Sequence, residues 1–131
     1  MSLKPGVVGE VQHRVTPDTF ATRWANPGVE VLATPVVVGW LEESAMQALR
    51  PYLDPGQASV GTMVSMKHLA ATPNGMMVRA MATVKVVDGR RVLFSVEAHD
   101  EREKIAEGEH ERFIINMAKF LERVAQKAKG Q

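Results

Sequence analysis

The chain has 131 residues, no cysteine and a formal net charge of +1, which predicts a single domain over residues 1–131 without disulfides or a thiolate zinc site. A net charge so close to zero argues against strong attraction to nucleic acid or to an anionic membrane. No apolar run approaches the roughly 20 residues of a membrane span, and the N-terminus, Met-Ser-Leu-Lys-Pro, has no apolar signal core. The protein is therefore expected to be cytoplasmic.

The first strand is predicted at residues 7–15, where one alternating side carries Val7, Gly9, Val11, His13 and Val15. Residues 18–30 show no clean period and are interrupted by Asn26-Pro27-Gly28. This stretch is interpreted as a loop or short helix that carries two large aromatic residues, Phe20 and Trp24.

The longest helix is predicted from Thr34 to Leu49. The Thr34 hydroxyl is expected to cap its first turn, Pro35 suits the first helical position, and Pro51 ends or kinks it. Glu42 is predicted to lie within the apolar face of this helix. Burying an unpaired charge is costly, so its carboxylate is either neutral, paired or used in chemistry, unless the helix boundary is misplaced. The residues of that face are Val38, Leu41, Ala45, Met46, Ala48 and Leu49.

Four more strands are predicted at residues 59–71, 76–87, 91–99 and 105–115, followed by an amphipathic helix from Asn116 to Lys129. Asp88-Gly89 is a strong hairpin signal between the third and fourth strands. A run of strands after one long helix predicts an α+β layer in which an antiparallel sheet covers that helix. Such a sheet leaves an open edge, and dimerisation is a common way to close one.

Histidine titrates near neutrality and is the usual proton carrier, so His68, on the apolar side of its predicted strand, is a candidate catalytic residue. A core histidine bonded to a backbone carbonyl explains the pattern equally well, and His13 has the same parity in the first strand. His99 and His110 fall on mixed faces and are predicted to face solvent or an interface.

Three further residues are candidates on weaker grounds. A hydroxyl at Thr34 would sit where a helix N-terminus offers free backbone donors. Gly61 interrupts a strand where a backbone or ligand could approach closely. Arg112 either forms an ordinary ion pair or anchors a carboxylate or phosphate. No metal spacing, phosphate loop or dinucleotide fingerprint is present, so no metal and no organic cofactor is predicted.

Several short segments occur in a distinctive order: Val31-Leu32-Ala33-Thr34-Pro35, Gly39-Trp40-Leu41-Glu42, Val60-Gly61-Thr62, His68-Leu69-Ala70-Ala71-Thr72-Pro73 and Gly108-Glu109-His110-Glu111-Arg112. In this ordered set the chain resembles the fluoroacetyl-CoA thioesterase family of the hot-dog-fold thioesterases. The resemblance implies an antiparallel sheet wrapped around a central helix, a homodimer with active sites at its interface, and hydrolysis of an acyl-CoA thioester.

The resemblance also implies roles for residues. The family's catalytic threonine, glutamate and histidine match Thr34, Glu42 and His68, and its substrate-site glycine and arginine match Gly61 and Arg112. The fluoroacetyl-specific enzyme carries a phenylalanine gate before the helix, whereas this chain has Ala25-Asn26-Pro27-Gly28 there. The expected substrate is therefore a small acyl-CoA without fluoroacetyl selectivity.

Two other functions remain open at the level of sequence. One is a binding module on the same fold that holds an acyl-CoA or a small hydrophobic acid without turning it over. The other, less favoured, is an acyl-CoA hydratase. Whether Glu42 attacks the thioester itself or activates a water is also left open.

Overall fold

The computed structural model describes residues 2–130. Its main elements are β1 (Val8–Arg14), α1 (Thr34–Leu49), β2 (Gln57–His68), β3 (Met77–Asp88), β4 (Arg91–His99), β5 (Lys104–Asn116) and α2 (Met117–Ala128). Short 3-10 helices occupy Pro17–Thr19, Ala21–Trp24 and Arg50–Tyr52. The predicted order of one strand, a long helix, four strands and a final helix is confirmed.

The strands form one antiparallel sheet in the order β1-β3-β4-β5-β2, and α1 packs against the inner face of this sheet. β4 shows the alternation that was predicted for it, because every second side chain is buried against the core. Those side chains are Val92, Phe94, Val96 and Ala98. The architecture is the α+β, helix-wrapping sheet expected from the sequence.

The rotation of α1 differs from the predicted one. Met46 is 40% exposed, and a stripe at four-residue intervals through Val38, Glu42 and Met46 borders the core instead of facing it. This rotation follows from the close approach of β1 to α1. A Cβ on Gly9 of β1 would lie 2.0 Å from the carbonyl oxygen of Ser44. That close approach turns another face of the helix toward the sheet, namely Val37, Leu41, Ser44, Ala45, Ala48 and Leu49.

A bulge in β2 changes which of its residues share a face. Gly61 lies opposite Arg112 and Met63 opposite Glu111, so Thr62 is the extra residue. Strict alternation places Gly61 and His68 on opposite faces of the strand, but the extra residue brings both to the inner face. The alternation predicted for residues 59–71, which puts Gly61 on the face opposite to His68, is therefore wrong at Gly61.

β2 is also one of the two edge strands of the sheet, and most of its residues are exposed. α2 begins at an Asn116 cap, whose side-chain oxygen accepts a hydrogen bond from the Lys119 backbone N–H. Its apolar stripe is exposed within this chain and consists of Met117, Phe120, Leu121 and Val124. No helix in the described part of the chain is both long and apolar enough to cross a membrane.

Candidate active site

Thr34 and His68 form the first half of the site. Ala33 occupies the N-cap position of α1 without a side-chain cap, and Thr34 is already helical. The Thr34 hydroxyl instead lies 2.7 Å from Nδ1 of His68. The prediction that Thr34 caps the helix is therefore wrong, because a residue with helical backbone geometry is past the position from which a side chain caps the first turn.

His68 has one ring nitrogen without a hydrogen-bond partner. Its Nε2 atom is buried, and nothing in the described residues hydrogen-bonds to it. Burial lowers the pKa of His68 from its ordinary value and outweighs the opposing effect of the Ala70 backbone. The ring is therefore neutral near pH 7, and its buried Nε2 has no hydrogen-bond partner within the described residues.

Glu42 and Arg112 form the second half. Oε2 of Glu42 lies 3.4 Å from Nη1 of Arg112, and the side chains are 36% and 5% exposed. The prediction that Glu42 is buried on the apolar face of α1 is thus wrong for the single chain, because α1 is rotated. The carboxylate is paired on one side and open to solvent on the other.

All three nitrogens of the Arg112 guanidinium are engaged by neighbouring groups. Its Nε donates to Oγ of Ser59 at 2.9 Å and its Nη2 donates to the Ser59 carbonyl at 3.0 Å. Its Nη1 lies 3.1 Å from Nε2 of His110. Burial lowers the pKa of Arg112, and the Glu42 carboxylate opposes this effect. An arginine so fixed presents one defined N–H edge to the carboxylate.

Gly61 allows Glu42 to sit beside β2. A Cβ at this position would lie 2.6 Å from Oε2 of Glu42 and 3.3 Å from Nη1 of Arg112. Any side chain there would displace the carboxylate, so the observed position of Glu42 requires a glycine at position 61.

His110 is a site residue whose burial the sequence did not predict. It was predicted to face solvent or an interface, but it is fully buried, with Nδ1 2.8 Å from the Met63 carbonyl oxygen. The sequence did contain a signal that His110 belongs with Arg112, because residues two apart on a strand share a face. His99 is only partly exposed, with Nε2 3.6 Å from Oε2 of Glu97.

A cavity of about 330 Å³ adjoins the Thr34–His68 pair. The segment before α1 forms one wall and the segment after β2 another. Phe20 is in the core at 9% exposure, and Trp24 is 49% exposed outside the cavity lining. The remaining lining residues are small or aliphatic apart from one amide: Ala21, Asn26, Val29, Val31, Leu32, Leu69, Ala70 and Ala71.

The two halves are separate within one chain. Thr34 and Glu42 lie two turns apart, about 12 Å along the helix axis. Glu42 lies beside Gly61, seven residues along β2 from His68, so the two side chains lie apart within one chain. Within residues 2–130 no three acidic or histidine side chains converge as a metal site would require.

Comparison with known proteins gives a consistent result. The family model described as fluoroacetyl-CoA-specific thioesterase matches residues 15–118. The fluoroacetyl-CoA thioesterase of Streptantibioticus cattleyicolor is 44% identical over 98 residues, which is 75% of this chain and 70% of that protein.

Solved structures agree with this match. An alanine mutant of the fluoroacetyl-CoA-specific thioesterase FlK superposes with a TM-score of 0.91 at 34% identity, covering 97% of this chain and 98% of that one. The same kind of mutant in complex with fluoroacetate and CoA gives 0.84 at 35% identity, covering 90% and 99%. A thioesterase superfamily member from Thermus thermophilus gives 0.89 at 27% identity, covering 99% and 98%. The predicted hot-dog fold is confirmed.

Proposed function

Because the chain belongs to the fluoroacetyl-CoA-specific thioesterase family, we propose that it hydrolyses the thioester of a small acyl-CoA to the free acid and CoA. The observation that carries this proposal is the placement of a histidine with an unpartnered buried nitrogen and an arginine-held carboxylate on the same side of the sheet. A proton carrier and an oriented carboxylate are the two groups that thioester hydrolysis needs.

The chemistry is divided between these residues. Glu42 either attacks the thioester carbonyl or takes a proton from the water that does. His68 carries protons to the departing thiolate or from the hydrolytic water, and Thr34 orients its ring. Arg112 holds the Glu42 carboxylate, while backbone donors near Gly61 or the start of α1 hold the developing oxyanion. An acyl adduct on Glu42 in a rapidly quenched reaction would identify the covalent route.

A homodimer unites the two halves. β2 is an open edge, and two such edges can pair antiparallel about a two-fold axis. An axis through Ser65 sets Met66 opposite the partner's Val64. Because Thr62 is bulged out, it also sets His68 opposite the partner's Gly61, the residue beside Glu42. The proposed active site therefore combines His68 and Thr34 of one copy with Glu42 and Arg112 of the other.

We expect sedimentation equilibrium at micromolar concentration to give about twice the 14.4 kDa chain mass. A charged residue on the open edge, as in Val64→Lys, should weaken this dimer because it places like charges close to the two-fold axis. A wild-type protein that sediments cleanly as a monomer would contradict both the dimer and the shared site.

The substrate is proposed to be a small acyl group without fluoroacetyl selectivity. The cavity beside His68 is lined without phenylalanine, tyrosine or tryptophan. Gly28 has a φ of +80° and open space around its Cβ direction, so no side chain closes the cavity from this position. Neither Phe20, which is in the core, nor Trp24 takes over that place.

We therefore expect kcat/KM for fluoroacetyl-CoA and acetyl-CoA to differ by no more than about tenfold, the effect of a small change in an apolar contact. Free CoA released from each ester is the measurement. A preference of several thousandfold for the fluorinated ester would contradict the open cavity and would require Phe20 or Trp24 to move over it.

A panel of short, branched and aromatic acyl-CoA esters tests the function itself, with free thiol as the readout. Hydrolysis of at least one small ester supports the proposal. No hydrolysis across the panel, together with saturable binding of the esters, would favour the alternative of a binding module that holds an acyl-CoA or small hydrophobic acid.

A further inference from the structure

We propose that His110 is a positioning residue for this chemistry, which as the neutral ring protonated at Nδ1 holds Arg112 in place against Glu42. The proposal rests on the proposed thioesterase function for its kinetic consequence. Its structural part, the state of the ring, stands independently of any activity.

The neighbours of His110 determine its tautomer. Nδ1 lies 2.8 Å from the Met63 carbonyl oxygen, which only accepts, so Nδ1 carries the hydrogen. Nε2 lies 3.1 Å from Nη1 of Arg112, which only donates, so Nε2 is the acceptor. Burial lowers the pKa of His110 from its ordinary value, and the adjacent Arg112 cation acts in the same direction. The ring is therefore neutral, with both nitrogens satisfied.

His110 acts on the nitrogen that faces the catalytic carboxylate. Ser59 fixes Nε and Nη2 of Arg112, whereas Nη1 bonds to His110 and to Glu42, at 3.1 Å and 3.4 Å. Nη1 has two hydrogens, and the His110 ring takes one of them, so the other is directed at Glu42. The ring thus sets the angle at which Arg112 meets the carboxylate.

His110 also ties this contact to the bulge in β2. Its Nδ1 partner is the carbonyl of Met63, the residue that follows the bulged Thr62. The same bulge brings Gly61 beneath Glu42. The buried His110 ring therefore links the β2 bulge, which makes room for the Glu42 carboxylate, with Arg112, which orients that carboxylate.

The kinetic test is His110→Phe, which keeps the ring shape but removes both hydrogen bonds and leaves buried polar partners unsatisfied. We expect kcat for a small acyl-CoA to fall at least about tenfold, with KM changed less than about threefold, because orientation of Glu42 matters mainly in the transition state. His110→Gln, which returns an acceptor for Nη1, should recover part of the loss. The matched control is His99→Phe, which should leave kcat unchanged.

A double-mutant cycle separates positioning from stability. In an Arg112→Gln background, His110→Phe should cost less than about threefold in kcat, since the group through which it acts is already removed. Equal losses in the two backgrounds would overturn the proposal. So would an unchanged kcat in folded His110→Phe protein whose melting temperature alone is lowered, or a His110→Gln protein no more active than His110→Phe.

Nitrogen-15 NMR of the wild-type imidazoles gives a readout that does not depend on turnover. We expect the His110 signals of a neutral ring with hydrogen on Nδ1. A ring with hydrogen on Nε2, or a ring protonated on both nitrogens at pH 7, would overturn the proposal even in an active enzyme. If no ester is hydrolysed, the thioesterase function fails while the NMR result still decides the state of His110.

Discussion

Glu42→Gln is expected to lower kcat for a small acyl-CoA at least about a hundredfold, the usual contribution of a general base or more. Glutamine keeps the shape of the side chain and an oxygen for Arg112, but it has neither the charge of a nucleophile nor the basicity to take a proton. Because Glu42 is 36% exposed and its bond to Arg112 is long at 3.4 Å, the free energy of unfolding should change by no more than about 1 kcal/mol.

The neighbouring Glu43 is the matched control. Its Oε1 lies 2.6 Å from Nε2 of His13, and the His13 ring stacks on Trp40, so this carboxylate serves the contact between β1 and α1. Glu43→Gln should leave kcat unchanged and alter the free energy of unfolding by about 1 kcal/mol or less. Equal losses of kcat at the two positions, or no loss at Glu42, would remove Glu42 from the mechanism.

His68→Gln is expected to lower kcat by about 10² to 10⁴, the range for a general acid–base group. Glutamine at this position retains polar atoms for the Thr34 hydroxyl but has no titratable nitrogen. His99→Gln removes a histidine from a partly exposed pair with Glu97 and should have no effect on kcat. A His68→Gln enzyme with wild-type kcat would show that this histidine is only a structural partner of Thr34.

The pH profile adds a second readout for His68. Its pKa lies below the ordinary value of 6.5 because burial disfavours the charged ring. The neutral, proton-accepting form therefore persists below pH 6.5, and kcat/KM should decline only as the pH falls through the lowered pKa. In His68→Gln the residual activity should lose this acidic limb. If kcat/KM instead begins to decline well above pH 6.5, and still does so in His68→Gln, the decline belongs to another titrating group.

Local patterns in the sequence were sufficient to predict the elements. The bounds of α1, Thr34–Leu49, and those of β4 coincide with the prediction. Proline at both ends of the helix and strict alternation in the strand are signals that tertiary packing does not change. Thr34, Glu42 and His68 were already candidates from these patterns, and the ordered segments of the family resemblance then implied catalytic roles for them.

What the sequence did not provide depends on contacts between distant segments. Gly9 approaches Ser44 and so turns α1, which moves Glu42 from the core to its border. One extra residue at Thr62 reverses the faces of β2. The burial of His110 follows from its place on β5 beneath α1 and beside Phe94. Each of these features depends on contacts between distant segments, so the periodicity within one element does not predict it.

In the proposed homodimer each active site takes His68 from one copy and Glu42 from the other, and a mixed dimer distinguishes this arrangement from a site within one chain. Differently tagged Glu42→Gln and His68→Gln chains are co-expressed, and the dimer that carries both tags is purified. In a shared arrangement, one of its two sites has both substitutions and the other has neither. We predict recovery of about half the wild-type kcat per dimer, since active sites contribute independently. A mixed dimer as inactive as its two parents would contradict the shared site and would place Glu42 and His68 of the same chain together.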